Sequence, residues 1–288
     1  METQFITTTL LPLALAVIMF GFGLSLTVDD FKRVLKYPRS IAIGLFCQML
    51  LIPILAFALI KIFKLSPEIS LGLMILAASP GGITANIFSH LSGGDVALNL
   101  TLTAINSVLA AFTLPLIIYL SSRWLACGEL SVGLQFSKSL EVFLIVLIPV
   151  AIGLFVKGKN PRFAQKVDRP FRIFSMLVLV LIVVTAILKE KNSLMESFAQ
   201  IGLVILIFNL LSMGIGYVVP LLAKLKHSEA TAISMEVGIH NGTLAIYIAM
   251  SVLNSFPLAL PAAVYSIIMF ITAGLFSFIL SRKNRPVR

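Results

Sequence analysis

The sequence has few charged residues for its length. Asp, Glu, Lys and Arg together make up 12% of the 288 residues, whereas apolar residues make up 59%. Soluble domains carry about 25% charged residues. Long apolar runs favour membrane-spanning helices over the alternating pattern of an outer-membrane barrel. We therefore predict an all-α, polytopic membrane protein, with room for about nine or ten crossings of the bilayer.

Cysteine and histidine are also scarce, with two and three residues respectively. Cys47 lies in an apolar run and Cys127 lies between runs, so no disulfide framework is expected. A transition-metal centre needs more His and Cys ligands than the chain offers. The sequence has no P-loop, nucleophile elbow or dinucleotide-binding glycine motif. An enzyme and an ATP-driven pump are therefore disfavoured, and no cofactor is expected.

The apolar runs define nine predicted spans. They lie at about 7–28, 39–63, 69–92, 94–121, 134–157, 171–188, 196–224, 228–254 and 257–281. With the N-terminus outside, 16 of the 22 Lys and Arg residues fall on the inner side, which is the excess that cytoplasmic loops carry. We therefore predict a cell (inner) membrane protein with a cytoplasmic C-terminus. The net charge of +10 then reflects these loops and not a nucleic-acid partner.

Two stretches of the sequence are similar to each other and form a candidate internal repeat. "KLSPEISLGLMILAASPGG" starts at Lys64 and "KLKHSEATAISMEVGIHNG" starts at Lys224. Each has an acidic residue at a helix start, Glu68 or Glu229, and then reaches a break that contains glycine. Paired interruptions in corresponding halves of a membrane protein are the best sequence pointer to a transporter binding site.

An amide lies twenty residues before each of these acids, Gln48 in the second span and Asn209 in the seventh. Five spans separate the two copies, so they have opposite orientations and form an inverted repeat. The first break, "SPGGITAN", combines Pro80 with two glycines, which loosen the helix. A break leaves free carbonyls at one half-helix end, which attract cations, and free N–H groups at the next, which attract anions.

Glu236 lies well inside the eighth span, where a charged carboxylate costs at least about 3 kcal/mol and needs a partner. No Lys or Arg lies deep in any predicted span. The partner is therefore a bound cation, a proton or a histidine, unless the carboxyl stays protonated and hydrogen-bonded. Asn99, Thr103 and Asn106 form one stripe of the fourth span and supply the oxygens that a hard cation prefers. His240 follows Glu236 by four residues, but the helix is expected to break between them.

With these residues the chain resembles the bile acid:sodium symporter family, in particular its bacterial members with nine helices. The resemblance covers nearly the whole chain and includes "MFGFGLSLTVDDFKRVLKYP", "SPGGITANIFSHLSGGDVALNLTLTAINS" and "EVGIHNGTLA". It implies two broken helices that cross in a core domain, at about 39–121 and 196–281. A panel domain, at about 7–28 and 134–188, moves against the core to give alternating access.

The resemblance also implies the residues of the binding sites. The first sodium site corresponds to Asn86, Asn99, Thr103 and Glu236. The second corresponds to Gln48, Glu236, the carbonyls of Val237 and Ile239, and His240. The substrate would contact Gly82, Thr84, Asn241, Gly242 and Thr243. Where the family pattern has glutamine this chain has His240, whose ring nitrogen is a poor Na⁺ ligand, so the first site is supported more strongly than the second.

The leading hypothesis is a sodium-coupled symporter that imports a small organic anion, bile acid-like or a small carboxylate such as pantoate. The alternative is a proton-coupled organic anion transporter that uses Glu236 and His240. A channel or a membrane receptor is a third possibility, from another class. The expected partners are Na⁺ as coupling ion, the organic anion and the bilayer, and a monomer is compatible with this organisation.

Overall fold

The protein is described from a computed structural model, which covers residues 11–125, 136–164 and 191–283 and a few positions between 166 and 177. All regular elements in these residues are helical. The helices are α1 Leu11–Ser25, α2 Val28–Lys32, α3 Pro38–Phe46, α4 Ile52–Phe63, α5 Pro67–Ala78, α6 Ile83–Leu91, α7 Val96–Trp124, α8 Phe136–Lys159, α9 Lys191–Leu222, α10 His227–Gly238, α11 Gly242–Tyr247 and α12 Leu260–Lys283. The prediction of an all-α fold is confirmed.

Eight of the nine predicted spans coincide with these helices, and the sixth, 171–188, lies outside the described residues apart from one helical position. A π-helical turn, Cys47–Leu51, joins α3 to α4, and another, Ile248–Val252, extends α11. Among the described residues, three helical stretches are long and apolar enough to cross a membrane: Pro38–Phe63, Ile201–Leu222 and Pro257–Leu280. The described part of the chain is thus that of a helical membrane protein.

Several span boundaries differ from the predicted ones by a few residues. The first helix ends at Ser25, and a new short helix starts after Thr27, whose N–H and hydroxyl both donate to the Asp30 carboxylate. The seventh span is already helical at Lys191, before its predicted start at 196. In α7 the two parts Val96–Ala110 and Phe112–Trp124 meet at 55°. Pro115 has no N–H to donate to the carbonyl four residues before it, which accounts for a bend at that place.

The helices α1 and α8 pack closely along each other. A Cβ atom at Gly23 would overlap the carbonyl oxygen of Val150, and one at Gly153 would overlap the carbonyl oxygen of Phe20. Only glycine fits at these two points, because each helix lies against the backbone of the other. The pair is also joined by Lys157, whose Nζ donates to the Ser25 carbonyl at 2.8 Å.

The two copies of the sequence repeat also correspond in their structure. Lys64 and Lys224, which open the two copies, both adopt a left-handed conformation, with φ of 50° and 58°. The two amides also correspond. Gln48 Nε2 lies 3.5 Å from the Ala77 carbonyl, 29 residues downstream, and Asn209 Nδ2 donates to the Gly238 carbonyl, also 29 residues downstream. Each amide therefore holds the end of the half-helix in its own copy.

The two breaks cross directly. The Gly82 N–H donates to the Ile239 carbonyl, and the Asn241 N–H donates to the Pro80 carbonyl, both at 2.8 Å. This short antiparallel bridge partners backbone groups that the breaks release from their helices, as any backbone at membrane depth requires. The half-helices α5, α6, α10 and α11 therefore meet at one point inside the bundle.

Candidate cation and substrate site

Glu236 lies beside the crossing and is 1% exposed. Its Oε2 accepts from Thr103 Oγ1 at 2.5 Å, and its Oε1 lies 3.4 Å from Asn106 Nδ2. The Gly81 backbone lies directly against the carboxylate. The buried side chains that the structure describes include no Lys or Arg. The carboxylate therefore contacts polar, uncharged groups in the described residues.

Helix α7 runs beside α10 in a regular register. Three contacts follow one another at steps of four residues on both helices. The Asp95 N–H donates to the Ser228 carbonyl at 2.9 Å, and Asn99 Nδ2 donates to the Ala232 carbonyl at 2.7 Å. One further turn along, Thr103 contacts Glu236. Asn99 Oδ1 is buried and has no hydrogen-bond partner in the described part of the chain. The structure therefore places an unpaired amide oxygen one helical turn from the Thr103–Glu236 contact.

The remaining predicted member of the first sodium site, Asn86, is buried on α6. That helix packs against both α7 and α10. Ser89, one turn further along α6, is also buried, and its hydroxyl has no hydrogen-bond partner among the described residues. The sequence analysis did not single out Ser89; its spacing of three residues from Asn86 is the signal that could have found it.

The second predicted sodium site is a cluster around His240. Gln48 Nε2 donates to the Ser79 carbonyl at 3.0 Å. His240 Nδ1 lies 3.2 Å from the same carbonyl and 3.4 Å from Gln48 Nε2. The imidazole stacks on Phe208 at 5.9 Å and meets the edge of Tyr265 at 5.3 Å. The hydrogen-bond partners of Gln48 and His240 in the described residues do not include Glu236. The polar groups of the two predicted sodium sites therefore form two separate clusters, one around Glu236 and one around His240.

The backbone members of this second cluster differ in their partners. The Ile239 carbonyl accepts the Gly82 N–H. The Asn241 N–H would reach the Val237 carbonyl in an unbroken helix, but it donates to Pro80 instead. The break therefore leaves the Val237 carbonyl without that helical donor.

The five predicted substrate residues lie at the starts of α6 and α11. Gly82 and Asn241 belong to the bridge itself. The side chain of Asn241 accepts from the Leu244 N–H at 3.0 Å and so caps α11. Thr84 is partly exposed and Thr243 is buried. A Cβ atom at Gly242 would overlap the Ser266 hydroxyl, so α12 lies directly against this start.

A buried network on the second copy was not predicted. Asn209 Nδ2 and the Tyr265 hydroxyl both donate to the Gly238 carbonyl, at 2.9 and 2.8 Å. Thr272 Oγ1 donates to Asn209 Oδ1 at 2.5 Å. The repeat pointed to Asn209, but nothing local in the sequence marks Tyr265 or Thr272 as its partners.

Tyr265→Phe is expected to lower the free energy of unfolding by about 1 kcal/mol, because it removes one of two donors to the Gly238 carbonyl. The melting temperature of the purified protein should fall by about 2–4 °C. Tyr119→Phe is the control, since that side chain is exposed and its hydroxyl accepts from Arg123, which is also exposed. Equal melting temperatures for the two variants would contradict a stabilising role of the network.

Gly81 lies directly against the Glu236 carboxylate, and a Cβ atom there would overlap all three carboxylate atoms. If Glu236 is a Na⁺ ligand, Gly81→Ala should displace the carboxylate and weaken Na⁺ binding about tenfold, in line with the cost of overpacking. Gly214→Ala is the matched control, because an added Cβ meets nothing within 4 Å. Binding of ²²Na⁺ to the purified variants is the measurement, and wild-type affinity in Gly81→Ala would show that the site is elsewhere.

Comparison with known proteins points to one family. A family model described as the Sodium Bile acid symporter family matches residues 12–197. The chain is 31% identical over 255 residues to the uncharacterized sodium-dependent transporter YocS of Bacillus subtilis, covering 88% of this chain and 77% of that protein. It is 29% identical over 252 residues to the hepatic sodium/bile acid cotransporter of Rattus norvegicus, covering 86% and 68%.

The human P3 protein is 33% identical over 226 residues, but the match covers 78% of this chain and only 47% of that protein. This chain thus spans about half the length of the P3 protein and most of the bacterial relative. The family match covers well over half of this chain and includes the first break and the stripe on α7. The chain therefore belongs to the sodium bile acid symporter family, a family of sodium-coupled transporters and not of enzymes.

Proposed function

We propose that this protein imports a small organic anion together with Na⁺, and that Glu236 is the centre of the cation site. The observation that carries the proposal is a buried carboxylate, without a basic partner in the described residues, beside the crossing of two broken helices. A carboxylate at that depth is stabilised when it pairs with a cation. A bound Na⁺ would provide that pairing.

The proposed ligands are Glu236, Thr103, Asn99 and Asn86. Thr103 already contacts the carboxylate, and Asn99 presents a buried, unpaired oxygen one turn away. Carboxylate, hydroxyl and amide oxygens suit a hard cation. Because the ligands come from α6, α7 and α10, a bound Na⁺ would hold the two copies of the repeat together at the crossing.

The proposed anion site lies at the starts of α6 and α11, with contacts from Gly82, Thr84, Asn241, Gly242 and Thr243. Helix N-termini attract carboxylates through their N–H groups and dipole. Since these helices begin at the bridge, ordering of the crossing by Na⁺ would also order the anion site. Coupling of this kind is reciprocal, so each ligand should raise the affinity for the other by the same factor. A bile acid-like anion and a small carboxylate such as pantoate are the proposed substrate classes.

We propose that the protein lies in the inner cell membrane with its N-terminus outside and its C-terminus in the cytoplasm. The core domain comprises about 39–121 and 196–281, and the panel domain about 7–28 and 134–188. The close glycine contacts of α1 with α8 support a panel that moves as one piece. Movement of the panel against the core would open the site alternately to the two sides, with a monomer as the working unit.

A thermal-stability screen tests this proposal without a prior choice of substrate. The purified protein is heated with a panel of carboxylates, once in NaCl and once in choline chloride at the same pH. A ligand that binds only the native state raises the melting temperature, and we expect at least one carboxylate to do so only in Na⁺. Stabilisation by carboxylates that is equal in both salts would contradict Na⁺ coupling.

A further inference from the structure

The His240 cluster is the second group of buried polar atoms at the crossing, and the Glu236 site does not use it. Gln48 Oε1 and His240 Nε2 are both buried, and neither has a hydrogen-bond partner in the described residues. We propose that this protein binds one Na⁺ per chain, at Glu236, and that the imidazole of His240 closes the neighbouring position to a second cation. This inference rests on the proposed function and specifies its stoichiometry.

The polar atoms of this cluster form a poor cation site. Two nitrogen atoms, Gln48 Nε2 and His240 Nδ1, approach the Ser79 carbonyl. Reversing the Gln48 amide would place its oxygen against that carbonyl, so the network itself fixes the orientation of the amide. The Ile239 carbonyl is engaged by Gly82. Gln48 Oε1 then remains as an unpartnered side-chain oxygen beside a ring nitrogen, whereas hard cations prefer several oxygens.

The imidazole is also held firmly in place. Phe208 stacks on one face at an interplanar angle of 13°, and Tyr265 meets the ring at 62°. Phe208 and Tyr265 are both fully buried. His240 is itself 1% exposed, so turning it away would require repacking of the aromatic pair. This packing therefore opposes movement of the ring away from the crossing.

The distribution of charge leads to the same conclusion. Two acidic side chains are buried among the described residues, Asp30 and Glu236. Asp30 is already paired with Arg33. Glu236 can therefore neutralise one cation at the crossing, and a second would be buried without a carboxylate of its own, which is costly.

The inference has a measurable consequence for transport. Import of one Na⁺ with one monovalent anion moves no net charge, so membrane potential should not drive it. A tenfold Na⁺ gradient would then support about tenfold accumulation of the anion, whereas two Na⁺ would support about a hundredfold before any effect of voltage. If a second Na⁺ were carried, 100 mV would add a further factor of about fifty.

Equilibrium binding of ²²Na⁺ to the purified full-length protein tests the inference directly, because it requires no substrate. We expect one site per chain with a Hill coefficient of about 1. His240→Gln, which replaces the ring nitrogen with an amide, should bind a second Na⁺. His90→Gln is the matched control, because that histidine is exposed at the end of α6 and away from the crossing.

The outcomes separate this inference from the proposed function. Two Na⁺ per wild-type chain would overturn the inference and leave Na⁺ coupling intact. One Na⁺ in both wild type and His240→Gln would overturn the role given to His240. No Na⁺ binding by the wild type would instead overturn the proposed function itself. The wild-type measurement stands whether or not the variant folds.

Discussion

Glu236→Gln is expected to abolish Na⁺-dependent uptake, with a loss of at least about a hundredfold. The substitution keeps the shape of the side chain but removes the negative charge at the crossing. A charge-assisted contact inside a membrane protein is worth more than a neutral one, and its loss leaves the cation without a counter-charge. Uptake of a labelled carboxylate into proteoliposomes, with Na⁺ or choline outside, measures the effect.

Glu68→Gln is the matched control for this substitution. Glu68 is the acid of the first copy and lies in the first turn of α5, where its removal should cost only a few tenths of a kcal/mol. Its uptake should therefore resemble that of the wild type. Retained Na⁺ dependence in Glu236→Gln, with normal expression and melting temperature, would remove Glu236 from the cation site.

Thr103→Val is expected to raise the Na⁺ concentration for half-maximal uptake by about ten- to a hundredfold. Valine has nearly the shape of threonine, but it lacks the hydroxyl that reaches Glu236. A hydrogen bond to a charged group contributes about 1.5–3 kcal/mol, which corresponds to this range. The maximal rate at saturating Na⁺ should change less than the half-maximal concentration does.

The same helix offers the control for Thr103. Thr101 is fully buried, and its hydroxyl donates to the Ala97 carbonyl of its own helix. Thr101→Val therefore makes the same chemical change two residues away, without touching Glu236. A similar shift in the two variants would mean that Thr103 acts through the stability of α7 and not through the cation.

The pattern of the sequence was sufficient to predict a helical membrane protein with several spans. Apolar runs predicted the helices, since a helix in lipid must satisfy its own backbone. The matched breaks predicted the interrupted helices, and the family resemblance implied that they cross. The repeated amides hold equivalent half-helix ends. The helix was also expected to break between Glu236 and His240. In the structure Glu236 contacts Thr103 and Gly81, whereas His240 lies beside Gln48 and Ser79.

Contacts between distant helices could not be predicted from the sequence in the same way. The register of α7 against α10 depends on packing, so the Asn99–Ala232 and Asp95–Ser228 contacts have no local signal. The same holds for Tyr265 and Thr272, which reach the end of α10 from α12. The sequence could suggest the cation ligands, but their arrangement around the carboxylate emerges only from the fold.

The central claim is that Na⁺ at Glu236 drives the uptake of an anion. The most direct test uses a carboxylate identified by the stability screen and follows its accumulation in proteoliposomes under an inward Na⁺ gradient, with pH equal on both sides. A parallel arm replaces the Na⁺ gradient with a pH gradient. The account predicts accumulation against a gradient in the first arm alone. Accumulation driven only by the pH gradient would contradict it and indicate that Glu236 and His240 couple transport to protons.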